Sequence, residues 1–287
     1  MRLRRCLAML AVIVTALPAL GQEQPNVSEP SAAAAAKKDP ASLREMIDGA
    51  VDDIEVFADA ETREPARTIV ALRWANNARG SEDGMTILYV HAGRPLAAAC
   101  LYPWSGRLIH DFQSLSRGKI VARRAGALVW QPQEPGVKFA PIPDAPPPES
   151  SPLARLRQMK TLAEQFQSAM LGWKDDSTDR EELRMLPRPL YRYEAKEGQV
   201  VDGAVFAFVM GTDPESLLLI EAVKGDDGKA NWQFAFARRT SGELEGRHQE
   251  KVVWHADRFP PTGDPTKTNY GIGQLIPPEL LPPADQP

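Results

Sequence analysis

Few residues in this chain could do chemistry. Its four histidines are His91, His110, His248 and His255, and none stands in a zinc pattern: there is no H-E-x-x-H and no cysteine pair. His110-Asp111 is the only histidine beside an acid. On a strand, adjacent side chains face opposite ways, so these two do not form an oriented dyad, and His110 reads as an ordinary strand residue or partly buried donor. The nucleophile elbow G-x-S-x-G is absent, and Ser114 and Ser116 read as residues that end a strand. Cys100 follows three alanines in an apolar run, the setting of a small buried thiol rather than a reactive one.

Acidic clusters say little more. Asp175-Asp176-Ser177-Thr178-Asp179 starts like a calcium loop, but Arg180 stands where glycine is needed and Leu186 where a bidentate glutamate is needed, so it reads as a solvated loop. Asp226-Asp227-Gly228 reads as a turn, and Gly271-Ile272-Gly273 lacks the strand, helix and third glycine of a dinucleotide loop. With 38 acids, some carboxylate pair always falls at a glycosidase spacing, which empties that signal. Trp74, Tyr193, Trp130 and Trp254 read as core or sheet-edge packing rather than as a ligand platform, with Arg73 and Arg192 as their cation-π or ion-pair partners. No residue is assigned to catalysis, to a cofactor or to a metal.

The elements that would position these residues follow from periodicity. Arg2, Arg4 and Arg5, the apolar run Cys6 to Leu20, and small residues at Ala19 and Gly21 form an export signal over residues 1–21, cut before Gln22. That run is about 15 residues, short of the roughly 20 that span a bilayer. Removing three of the 34 basic residues leaves 31 against 38 acids, a formal charge of −7 scattered along the chain. Nucleic-acid binding, which needs a clustered basic surface, is thereby disfavoured. With Cys6 removed, Cys100 has no disulfide partner.

Residues 22–38 read as a flexible leader. Asp39-Pro40 opens a helix whose stripe runs through Leu43, Met46, Ile47, Ala50, Ile54 and Phe57. From Thr68 the period becomes two, and six apolar runs separated by turns predict an antiparallel meander ending at Trp130. Seven prolines make residues 131–150 an extended connector. Ser151-Pro152 then opens a second helix, striped from Leu153 to Met170 and closed by Gly172, and further strands follow as far as Trp254. Residues 259–287 read as a proline-rich tail along the surface.

Arg73-Trp74 precedes Asp83-Gly84 by ten positions, and Arg192-Tyr193 precedes Asp202-Gly203 by the same ten, an offset of 119. Both halves close on Val-Trp, at Val129-Trp130 and Val253-Trp254. The expected fold is therefore α+β: two similar helix-plus-antiparallel-sheet halves, 39–130 and 151–258, from an internal duplication.

The run from Leu183 to Tyr193, with Asp202 to Val209 and Gly211 to Glu215, resembles a family of uncharacterised exported proteins of planctomycete bacteria, over most of the chain from about Thr68 to Trp254. That resemblance implies export and one structural unit, and carries no activity, ligand or catalytic residue. The expected function is a non-catalytic exported binding or interaction protein, with an unknown protein or small molecule as partner, no nucleic acid and no stable membrane insertion. The alternatives are an exported hydrolase with a dispersed site built on His110 or on acids at strand ends, and a structural component of the envelope.

Overall fold

The computed structural model describes residues 40–76, 81–104, 107–172, 179–194, 199–259 and 267–274. The expected signal, the leader, the calcium-like run up to Thr178 and most of the tail lie outside them.

Both helices are shorter than their stripes. Helix α1 (Pro40–Gly49) stops at glycine, and Ile54 and Phe57 belong instead to the next turn and to strand β1 (Glu55–Phe57). Helix α2 (Pro152–Ala163) starts as its sequence demands, the Ser151 hydroxyl accepting from the Ala154 amide at 3.2 Å and Pro152 in the first turn. It ends at Ala163, before the expected stripe does, because Phe166, Ser168 and Met170 alternate inward with period two and form β9 (Phe166–Leu171).

Before α2 come β2 (Arg67–Asn76), β3 (Ser81–His91), β4 (Arg94–Trp104), β5 (Arg107–Ser114), β6 (Val121–Arg124), β7 (Ala127–Trp130) and β8 (Ala140–Pro141). After β9 come β10 (Arg180–Met185), β11 (Tyr191–Tyr193), β12 (Val200–Met210), β13 (Asp213–Lys224), β14 (Ala230–Arg238), β15 (Glu243–His248), β16 (Lys251–Ala256) and β17 (Tyr270–Gln274). All the pairings are antiparallel. They make a sheet of β1-β6-β7, a five-stranded sheet β17-β5-β4-β3-β2, and a nine-stranded sheet β16-β15-β9-β10-β12-β13-β14-β8 to which β11 adds beside β12.

The α+β expectation is thus overturned. The described chain is mainly antiparallel β, with two short helices against seventeen strands. Nor is each half a helix on its own closed sheet: the connector supplies β8 to β14, and the tail supplies β17 to β5. The tail segment is no loose surface strand either, since Tyr270 is buried.

The sheets are layered by alternation. Leu88 and Val90 of β3 meet Val205, Ala207, Leu217 and Leu219 of the nine-stranded sheet, so the two large sheets pack face to face. Ile87 and Tyr89 point the other way, to Ile47 of α1 and to Ala122 and Trp130 of the small sheet. Leu218 and Ile220 of β13 likewise face Met159 and Leu162 of α2. Burial on both faces is why these strands read as continuous apolar runs.

Ladder geometry recurs within this architecture. Met85 faces Leu101 as Ala204 faces Ile220, with a bulge after Tyr89 in one hairpin and after Phe208 in the other. The β6–β7 and β15–β16 hairpins bulge after Ala122 and Gly246, and turn through Ala125 and Gln249 at φ 48° and 53°. The aromatic residues at the 119 offset also match: the Trp74 and Tyr193 rings each lie across the ladder on a glycine, where a Cβ on Gly84 or Gly203 would come within 2.5 Å of ring carbon.

Candidate functional site

The histidines are not brought together. His110 is buried, its ring stacked on Phe112 at 4.2 Å and its Nε2 3.4 Å from the Tyr89 hydroxyl, with Nδ1 unpaired. Burial, with Arg239 and Arg124 adding to it, pushes this imidazole down to about 3. His248 packs on Phe166 and its Nε2 sits 3.0 Å from Gln165 Oε1, and burial lowers its pKa too. His255 is exposed beside Asp257 at 3.1 Å, and His91 ends β3. Asp111 points away from His110, to the other face of β5, where it pairs with Arg239 and accepts from the Cys100 amide at 2.9 Å.

The other candidates hold structure. Ser114 Oγ accepts from the Ser116 amide and Ser116 Oγ from the Gly118 amide, which closes the turn after β5. Cys100 is buried against Thr86, and burial pushes its thiol up to about 12. Asp227 accepts from the Lys229 amide in a turn through Gly228. Gly271, Ile272 and Gly273 lie in β17. Arg192 pairs with Asp202, which also takes Arg155 from α2 at 2.8 Å; from α1, Asp48 pairs with Arg73 and Arg44 with Asp83. Each aromatic-on-glycine crossing is therefore tied to a helix by arginine–aspartate pairs.

Two charge clusters cross between the large sheets. Glu221, fully buried, accepts from Arg94 at 2.8 Å, from Arg117 at 2.7 Å and from the Tyr193 hydroxyl at 2.7 Å. Arg239, equally buried, reaches Asp111 and the Ala98 carbonyl, and Tyr270 also hydrogen-bonds Asp111. Burial pushes the Asp111 carboxyl up and Arg239 opposes that push, while Asp111 holds the guanidinium charged. These pairs orient the sheets and expose no reactive group.

An open arrangement lies beside β14. A groove of about 600 Å³ runs between β14, β16 and the start of β17, lined by Phe236, Trp254, Arg238, Tyr270, Gln113 and Asn269. A second hollow of about 580 Å³ shares Phe236, Trp254 and Gly136 with it and continues to Phe139 and Arg117. Phe236 stacks on Trp254 at 5.3 Å, and Gly246 leaves room for the Phe236 ring. Arg238 lies over the adjoining rings of Phe259 and Tyr270, where burial lowers its pKa. The groove therefore offers an aromatic floor, amide side chains on one wall and a partly desolvated cation at one end.

Sequence reasoning preferred packing to a ligand platform for Trp254 and did not reach Phe236, Arg238 or Asn269. The usable signal was the position of Val253-Trp254 opposite Val129-Trp130. Trp130 is fully covered, its indole donating to the Thr268 carbonyl at 2.8 Å, whereas Trp254 is partly exposed.

Among the described residues no cluster of three or more metal-ligating side chains is present, and no helix is long and apolar enough to cross a membrane. No family model, curated protein or solved structure matches this chain.

Proposed function

We propose that this is an exported, non-catalytic binding protein whose ligand site is the Trp254 groove. The observation that carries the reading is the partly exposed Trp254 ring, stacked on the buried Phe236 at the floor of that groove. Its counterpart, Phe112–Trp130 at 5.2 Å, is sealed by the chain's own residues. A partly exposed indole backed by a buried ring amid fixed polar groups is the composition of recognition sites. The ionisable groups of the interior, by contrast, are consumed in packing and ion pairs. The hydrolase alternative has no comparable support, because His110 is sealed in the core and held neutral. Export rests on the basic-then-apolar residues 1–21, and kinship with the planctomycete family on residues 183–215.

The test is the indole ¹H–¹⁵N spectrum of the full chain, with the Trp254 signal assigned through Trp254→Phe. A panel of aromatic, oligosaccharide and peptide fragments is added member by member. Selective movement of the Trp254 signal by at least one member supports the reading; a panel that leaves it still while the fold is intact refutes it. Secretion from a bacterial host with Gln22 at the new N-terminus tests export.

A further inference from the structure

The groove has a filled counterpart in the same molecule. Strands β4–β5 and β13–β14 share a ladder, Ala97 facing Ser114 as Ser216 faces Arg238, so Phe236 takes the place of Phe112. On the outer edge of β5, β17 pairs with all five residues from Ile109 to Gln113, Gly271 standing opposite Phe112. Ser114 extends that ladder by donating to the Asn269 carbonyl at 2.8 Å. Two residues upstream of Tyr270, Thr268 offers its carbonyl to the Trp130 indole.

The outer edge of β14 is filled only in part. Strand β8 meets it at Gln233 and Phe234 alone, with one further bond from the Ile142 amide to the Trp232 carbonyl at 3.0 Å. The connector then leaves the edge because it is pinned elsewhere. The Gly136 amide donates to the Ser116 carbonyl, Gly136 is so close to Ser114 that a Cβ would overlap its carbonyl oxygen, and Val137 is buried between the large sheets. In an antiparallel ladder alternate residues bond to the same side, so the outward backbone groups after Phe234 are those of Phe236. Among the described residues no strand pairs with them.

We infer that this edge accepts an extended polypeptide segment from a partner. The segment lies antiparallel to β14, with a glycine or similarly small residue opposite Phe236 and a backbone carbonyl accepting from Trp254 Nε1. The inference rests on the ligand reading above and specifies its chemical class. A small residue is specified because Gly271 holds the position opposite Phe112 in the filled counterpart, where the aromatic stack is spaced much as it is here, at 5.2 Å against 5.3 Å. Main-chain bonds supply the binding and the stack supplies the selectivity, as in other strand-addition sites.

The probe is an acetylated, amidated peptide copying residues 267–274, Lys-Thr-Asn-Tyr-Gly-Ile-Gly-Gln, added to the ¹⁵N-labelled full chain. The expected result is movement of the Phe236 amide and Trp254 indole signals. Trp254→Phe, which keeps the ring and removes the donor, weakens binding roughly three- to tenfold. The same peptide with valine at the Gly271 position does not bind. If the peptide instead moves Phe112 and Trp130, it has displaced β17 and the inference falls. It also falls if the peptide moves nothing while another fragment moves Trp254, and in that case the ligand reading survives. If neither peptide nor fragments act, both fall.

Discussion

Arg239 and Asp111 join the two large sheets across an interior from which water is excluded, and cutting that pair should be among the most damaging single changes in the protein. Arg239→Met leaves the Asp111 carboxylate with only the Cys100 amide and Tyr270. Asp111→Ala leaves the guanidinium facing the Ala98 carbonyl at 3.5 Å, with its Nε already lacking a partner. An uncompensated buried charge costs about 3–5 kcal/mol, against a total stability on the order of 5–15 kcal/mol. Each single variant should therefore lose that much, while the double variant, which buries no charge, should cost little more than either one. The coupling energy should reach at least about 2 kcal/mol. Urea unfolding followed by circular dichroism at pH 7 measures all four corners of the cycle. A pH series adds a signature: without Arg239 the native carboxyl is raised further, so the native state takes up its proton before the unfolded chain does. The penalty in Arg239→Met should then shrink as pH falls from that raised value toward the unfolded value of about 3.9. Single-variant losses below about 0.5 kcal/mol, or a double variant equal to the sum of the singles, would refute the assignment.

Three further outcomes are expected. His110 has a native pKa of about 3 against 6.5 in the unfolded chain, so its neutral burial stabilises fully above pH 6.5 and loses about 1.4 kcal/mol per pH unit as pH falls toward 3. His110→Phe, the residue that Phe234 supplies at the same ladder position of β14, should flatten the stability curve by about 3 kcal/mol between pH 7 and 4; parallel curves would exclude this. Gly203→Ala places a methyl 2.5 Å from the Tyr193 ring, whose hydroxyl is pinned by Glu221, and should cost about 1–3 kcal/mol in denaturant unfolding. Gly49→Ala, with nothing within 4 Å, is the control and should be near neutral. The Cys100 thiol, raised to about 12, should resist a thiol-specific disulfide reagent at pH 8 until the chain unfolds; rapid labelling of the native protein would contradict its burial.

Most strands were legible because their residues are buried on at least one face. The runs Met85 to Val90 and Leu217 to Val223 are apolar on both save for Thr86 and Glu221, and β3 and β13 contain them. Strand β15 escaped notice because its inward residues are Leu244, Gly246 and His248, a single apolar side chain among them. Gly246 is there to make room for Phe236, and no periodic signal survives that requirement. Strand β9 was hidden differently. Phe166 and Met170 fit a helical stripe at i, i+4 as well as they fit alternation, and only the partners on either side, β10 and β15, decide between the two.

The sequence by itself determined where most of the strands run, where α2 begins, and the ten-residue spacing that sets Trp74 on Gly84 and Tyr193 on Gly203. Those are local properties, written in side-chain period, capping and turn chemistry. The exchange of β8 and β17 between sheets, the pairing of Arg239 with Asp111 128 positions away, and the contrast between a sealed Trp130 and an open Trp254 were decided by tertiary structure alone. Such features depend on which edge a distant segment reaches, and backbone bonding at a sheet edge is indifferent to side-chain identity.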